Sequence, residues 1–264
     1  MKFFLYGLCC LIVLAFSCQE HASKLDNDDL PINEILPDCP NIVVNTTYSV
    51  SDSGKAHFLD DATNFTIDYL FANALPCTSL IRIPDSLVNR FLFPLAYLYD
   101  SRDSFPLLDT LIIQKGIHKK TKVTSGLILT ADTANQWMQN VHHGIVPTGN
   151  ATFDSLLLLY SLEINSTLLW GFNNYAYVII NTTEPLNTKA LAKIFNGVPG
   201  VGDTQPDTGY NVLTKLEIET HSGYSRVIFY YGYGDCMSGC FGYNKWTFDI
   251  TTNGVVSFQG HEIQ

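Results

Sequence analysis

Hydrophobic and polar positions alternate most cleanly in the last quarter of the chain. Leu216 and Ile218 fall on one face and Lys215, Glu217 and Glu219 on the other. Farther on, Trp246, Phe248 and Ile250 alternate with Lys245, Thr247 and Asp249. A period of two predicts half-buried strands. Ser222-Gly223 and Asn253-Gly254 are hairpin turn signals, returning the chain over Arg226 to Tyr231 and Val255 to Phe258. The prediction over 206–264 is a four-stranded antiparallel meander. At its centre lies Tyr231-Gly-Tyr-Gly-Asp-Cys-Met-Ser-Gly-Cys-Phe-Gly-Tyr243, a glycine-rich aromatic loop with two cysteines four apart. On pattern alone this loop reads as the feature around which the chain is organised.

Between 125 and 205 the period changes. Leu127-Ile-Leu-Thr-Ala131 reads as a short apolar strand, followed by a loop through Trp137, His142, His143 and Pro147. Asn150 then caps a helix whose Phe153, Leu156, Leu157 and Tyr160 stand at i, i+3, i+4 and i+7. Leu162 to Trp170 and Tyr175 to Ile180 read as strands. A second helix starts at Asn187, with Leu186 able to staple to Leu191 and Gly197 in the terminating position. Pro199-Gly-Val-Gly202 leads into a last short strand. The order β-α-β-β-α-β is that of the ferredoxin-like split motif.

Residues 39–124 read as an N-terminal β extension and a helix. Ile42-Val-Val-Asn-Thr-Thr-Tyr48 is rich in branched residues, and Asn64-Phe-Thr-Ile-Asp-Tyr-Leu-Phe71 alternates like a strand. Ile83-Pro-Asp-Ser starts the helix, with Leu87, Phe91, Leu95 and Leu98 on one face. Pro94 is expected to kink it, because proline removes an internal hydrogen bond.

The first residues are not expected to belong to the fold. Lys2 precedes an apolar run from Phe3 to Phe16. That run is shorter than the roughly 20 residues a spanning helix needs, and it has the form of a secretory signal. It ends in Leu14-Ala-Phe-Ser-Cys18, which resembles the lipobox of bacterial lipoproteins, although Ala15 and Phe16 depart from the commonest pattern. The resemblance implies a signal peptide over 1–17, lipidation of Cys18 and attachment to a membrane through that lipid. The alternative is an ordinary signal peptide in which Cys18 is incidental. Residues 18–38 carry six acids against Lys24 alone and read as an acidic tether.

Export sets the redox environment. Outside the leader the cysteines are Cys39, Cys77, Cys236 and Cys240, an even number with three connectivities. Spacing favours Cys236 with Cys240 and Cys39 with Cys77, contributing roughly 2 and 4 kcal/mol by loop entropy. Zinc is the rival reading, but two cysteines make half a site and no His-x3–5-His pair stands nearby. The predicted fold class is therefore α+β: a ferredoxin-like β-α-β-β-α-β unit over 125–205, followed by a C-terminal antiparallel β-meander with a short disulfide loop.

The net charge of −10 argues against a nucleic-acid partner, which would want the opposite sign. Lys115, Lys119, Lys120 and Lys122 form a local basic cluster that reads as a solvated loop. No Gly-x-Ser-x-Gly, His-Glu-x-x-His or Walker motif is present. His142-His143 is the best metal candidate, but adjacent side chains seldom converge on one ion. Asp235 reads as a turn residue that accepts backbone bonds. Tyr230, Tyr231, Tyr233, Phe241 and Tyr243 offer either a sugar- or peptide-binding surface or, more simply, packing over a disulfide. Neither catalytic residue, cofactor nor metal is assigned.

Several of these segments together resemble a family of exported Bacteroidetes-type lipoproteins. The resemblance rests on Leu186-Asn-x-x-Ala-Leu-Ala192, Pro199-Gly-Val201, and Gly234-Asp-Cys-x-x-Gly-Cys240 followed by Trp246-x-Phe248. Such proteins usually carry a more glycine- and acid-rich link than Asp203-Thr-Gln-Pro-Asp-Thr-Gly209. The resemblance implies a cell-envelope protein, lipid-anchored in the outer membrane, and no particular activity. The expected function is a non-catalytic binding or structural module with a protein or glycan partner left open. The alternatives are a peptidase inhibitor, since the split unit looks like the pro-domains of subtilisin-type proteases, and an undetected hydrolase.

Overall fold

The structure is a computed structural model that describes residues 39, 47–119, 123–169, 174–208, 213–236 and 239–264. Cys18, the tether and Ile42–Thr46 lie outside the described residues. The fold is mixed α+β, with two four-stranded antiparallel sheets and six α-helices among the described residues. None of the described helices is long and apolar enough to cross a membrane.

Helix α1 (Asp52–Ala72) packs through Phe58 and Ala62 into the core that also holds the second sheet. Ser51 caps it by accepting from the amide of Gly54 at 2.9 Å. The strand expected over Asn64–Phe71 is therefore the last part of a helix. The misreading has a physical cause: α1 buries polar as well as apolar side chains, among them Asp61, Thr63, Asn64 and Thr66. Thr63 and Thr66 return their hydroxyls to the carbonyls of Leu59 and Ala62, both at 2.8 Å. Asn64 accepts from the amide of Val123 and donates to the Thr124 hydroxyl at 2.7 Å. Every one of these groups is paired, so the helix can be buried on several sides without an apolar stripe.

Helix α2 (Asp85–Asp100) packs along α1 and runs through Pro94, with Leu87, Phe91, Leu95 and Leu98 all buried as their spacing predicts. Its Tyr97 hydroxyl donates to the carbonyl of Gly254 at 2.9 Å, which docks the last hairpin. The short helix α3 (Pro106–Asp109) continues into a π-turn, Thr110–Gln114.

The first sheet contains β1 (Gly126–Asp132), β2 (Leu162–Leu169), β3 (Tyr175–Thr182) and β4 (Val201–Pro206), in the order β2-β3-β1-β4. Between β1 and β2 lie α4 (Gln136–His142) and α5 (Ala151–Leu159), and between β3 and β4 lies α6 (Thr188–Phe195). The loop expected around Trp137 and His142 thus contains a two-turn helix. It buries Trp137, Met138 and Val141 at i, i+1 and i+4, too short a run for the periodicity to register. Asn150 and Asn187 cap α5 and α6 through their side chains. Leu127, Leu129 and Ala131 of β1 share one core with Phe153 and Leu156 of α5 and Leu191 and Phe195 of α6.

The second sheet is the meander β5 (Thr214–His221), β6 (Tyr224–Tyr233), β7 (Gly242–Thr251) and β8 (Val256–Ile263). Leu216, Val227, Phe229, Phe248 and Ile250 form its inner face and pack with Phe58, Ala62, Leu95 and Leu98 of α1 and α2. On the outer face Arg226 makes two hydrogen bonds to Asp249, at 2.8 and 3.0 Å.

Tyr48 lies against Tyr97, ring centroids 4.3 Å apart. Burial, and then the neighbouring Tyr97, push its pKa from 10.0 up to about 12. The folded state thus favours the neutral phenol. The stabilisation is complete below pH 10 and is lost as pH rises from 10 towards 12. Denaturant midpoints should fall across that window, and Tyr48→Phe should flatten the fall; an unchanged slope in the variant would contradict the assignment.

Candidate functional site

The first sheet ends on one side at β2, and the helix-side space beside that strand forms a groove of 580 Å³. Helix α5 stops at Tyr160, and Ser161 takes the left-handed conformation, φ 50°, to turn the chain into β2. That turn sets the first residues of β2 beside the last turn of α5. The apolar lining comes from Val141, Val146, Leu157, Leu158, Leu162 and Ile164. Leu158 is 74% exposed and Val146 63% exposed, so the rim presents apolar surface to solvent. Asp154 supplies a carboxylate, and Glu163 borders the groove from β2. Asp154 is committed to the chain, accepting from the amides of Thr148 and Gly149 at 2.8 and 3.1 Å. Glu163 is exposed and has no ion-pair partner among the described residues.

A second polar cluster was not visible in the sequence. His118 Nδ1 lies 2.6 Å from Oδ2 of the buried Asp61, whose Oδ1 accepts from the Lys119 amide at 2.9 Å. The ring of His57 stands 5.1 Å from that of His118 and 5.0 Å from that of Tyr99. His57 Nε2 is buried without a hydrogen-bond partner among the described residues, and burial, followed by the charge of His118, lowers its pKa. His57 and Asp61 are four apart, a shared helix face that becomes legible only once α1 is recognised as a helix. The arrangement ties α1 to the segment Ile117–Lys119. Lys119, expected in a solvated loop, is instead mostly buried and 2.6 Å from Oδ2 of Asp68, whose Oδ1 pairs with Lys189 of α6. Lys115 stands 3.7 Å from the centre of the Tyr231 ring, while Lys120 and Lys122 lie outside the described residues.

The cysteines join Cys39 to Cys77 and Cys236 to Cys240. Cys77 is buried beside Leu70, Leu80 and Leu87. The second bridge lies against Gly232, where an added Cβ would collide with Cys240 Sγ. Phe241 covers Gly234 and Tyr233 covers Gly242 in the same way. The aromatic residues of this region therefore do not make one surface. Tyr230 is buried on the outer face, donating to Glu217 at 2.7 Å, and Tyr231 belongs to the inner core. Phe241 is 80% exposed. Gly232→Ala should cost about 1–3 kcal/mol by overpacking and leave a fraction of Cys236 and Cys240 titratable as thiols. Wild-type stability with full bridging would show that the close approach is not required.

His142 and His143 are exposed, rings 5.4 Å apart, and His142 Nδ1 lies 3.1 Å from the Thr167 hydroxyl. Among the described residues no group of three or more His, Cys, Asp or Glu is placed to hold a metal ion. No family model matches the chain, and no curated protein or solved structure gives a significant match.

Proposed function

We propose that the protein is a lipid-anchored module of the cell envelope, held through Cys18, that acts by binding rather than catalysis and takes its ligand in the groove beside β2. The observation that carries the reading is the groove itself. Its 580 Å³ lies within the range of about 300–1,000 Å³ typical of ligand sites, and its rim keeps Leu158 and Val146 exposed at a cost in solvation. The acidic run after Cys18 supports a tether that holds such a module away from a membrane.

The order β2-β3-β1-β4, with helices on one face, supports a ferredoxin-like split unit. It also favours a second reading, a pro-domain-like peptidase inhibitor. Such inhibitors place an extended C-terminal tail in the protease cleft, whereas here the four strands of the second sheet follow β4, so inhibition ranks second. Fold likeness alone does not assign function.

Purified protein should enhance the fluorescence of the apolar dye 1,8-ANS with saturation at one site. Leu158→Asp and Val146→Asp should each abolish the enhancement without changing the far-ultraviolet circular dichroism. Dye binding indifferent to both substitutions would remove the groove from the account. For the anchor, Cys18→Ser should move the protein from the membrane to the soluble fraction, and retention would refute lipidation there. Nanomolar inhibition of a subtilisin-type protease would promote the second reading. Ester or peptide turnover abolished by one His or Asp substitution would end the non-catalytic one.

A further inference from the structure

We infer that the ligand of the β2 groove is an extended segment of another protein, alternating apolar and basic residues, that adds to the first sheet as a fifth strand. The inference rests on the groove being a binding site and names what fills it.

Three observations converge on that occupant. The first is the edge of β2, which no strand among the described residues covers. β2 closes the sheet on one side with eight residues, about 26 Å at about 3.3 Å per residue. Its outward backbone groups are those a fifth strand would pair with. Natural edges are blunted by charge, proline or irregularity. The opposite edge, β4, carries Asp203 and ends in Pro206, and β5 carries Lys215, Glu217 and Glu219. β2 has one charged residue, Glu163, and no proline or lysine. Its register shift lies between Ile164 and Ser166, which limits regular pairing to three or four residues on either side. A strand held so briefly needs side-chain anchoring as well.

The groove supplies that anchoring and is the second observation. It opens beside the first half of the same strand, where Leu162 and Ile164 face the helices and Leu158 stands exposed above them. A peptide paired with β2 sends every second side chain into this space. A small apolar molecule could fill the groove but would leave the strand edge unpaired, whereas an extended peptide satisfies both.

The third is charge. The intervening residue, Glu163, alternates to the other face of the sheet, and the residues bordering the groove include Asp154 and Glu163 but no Lys or Arg. Peptide side chains alternating with the apolar ones meet Glu163, and a cation is its complement. This also disfavours a second copy of the chain. Two β2 strands paired edge to edge would bring two carboxylates into one ladder with no base to answer them.

The test uses a fluorescein-labelled peptide of three Lys-Leu repeats, the same peptide N-methylated on its leucine amides, and its Glu-Leu counterpart. Binding to the full chain is followed by anisotropy. The Lys-Leu peptide should bind at micromolar concentration. Leu158→Asp should weaken it at least tenfold, and N-methylation, which removes the strand donors, should weaken it similarly. Glu163→Lys should reverse the preference, weakening Lys-Leu and admitting Glu-Leu. Equal binding of the N-methylated peptide, or binding unaffected by Leu158→Asp, would reduce the interaction to attraction by an acidic protein and overturn the inference. A concentration-dependent dimer abolished by Leu158→Asp would replace the peptide with a second copy. If 1,8-ANS binds in a Leu158-dependent way and the peptide does not, the strand-addition inference fails while the groove remains a site. If neither binds, both readings fail.

Discussion

Phe248→Ala is expected to lower the free energy of unfolding by about 3–5 kcal/mol, the range for truncating a buried aromatic. Phe248 is fully buried on β7, between the two neighbouring strands of its sheet, and belongs to the core shared with α1 and α2. Its ring meets Phe229 and Phe105 edge-on at 6.0 and 6.4 Å and lies tilted to Phe258 at 5.1 Å. Removing it deletes contacts to both neighbouring strands and to the segment before α3 in one step, and three aromatic rings cannot collapse inward without leaving their rotamers. Phe248→Leu, which keeps most of the volume, should cost about 1–2 kcal/mol. Urea denaturation followed by tryptophan fluorescence reads both. Similar small losses in the two variants would show that the inner face of the second sheet is not tightly packed.

Asn187→Ala is expected to cost about 3 kcal/mol, although no hydrophobic contact is lost. The side chain is fully buried and does three jobs. Its oxygen accepts from the Ala190 amide at 3.3 Å and caps α6, while its Nδ2 donates to the carbonyls of Leu80 and Thr78 at 2.9 and 3.0 Å. The cap contributes about 1 kcal/mol, and each buried hydrogen bond lost adds about 1 kcal/mol. The backbone amide of Asn187 also donates to Ile81 at 2.8 Å, so this one residue fastens α6 to the segment before α2. Asn187→Asp keeps the cap acceptor but turns a charge towards two carbonyls, and should be no better than alanine. An aspartate variant of wild-type stability would show that the contacts to Thr78 and Leu80 contribute nothing.

The elements legible in the sequence were those whose burial is one-sided. β5 to β8 alternate because one face of the sheet packs inward and the other carries pairs such as Arg226 with Asp249. α2 was legible because its stripe of Leu87, Phe91, Leu95 and Leu98 faces one core. α1 was not, because a helix buried on several sides needs no stripe and can bury Asp61 and Asn64 where a loop supplies their partners. The cysteine loop, conspicuous in sequence, proves to be a local clasp over Gly232 at one end of the second sheet. The groove left no motif either. It is assembled from a turn at Ser161, a helix end and a strand edge, and its signal, two exposed aliphatic residues at 146 and 158, has meaning only once the partners across the gap are known.

We propose that ligand meets this protein at the edge of β2. Amide hydrogen exchange of the full chain, measured with and without the Lys-Leu peptide, tests it directly. Slowed exchange is expected at 162–169 and the end of α5 alone, with the second sheet and the cysteine loop unchanged. Protection centred on the loop around Cys236 and Cys240, or none at β2 while the peptide is bound, would contradict it.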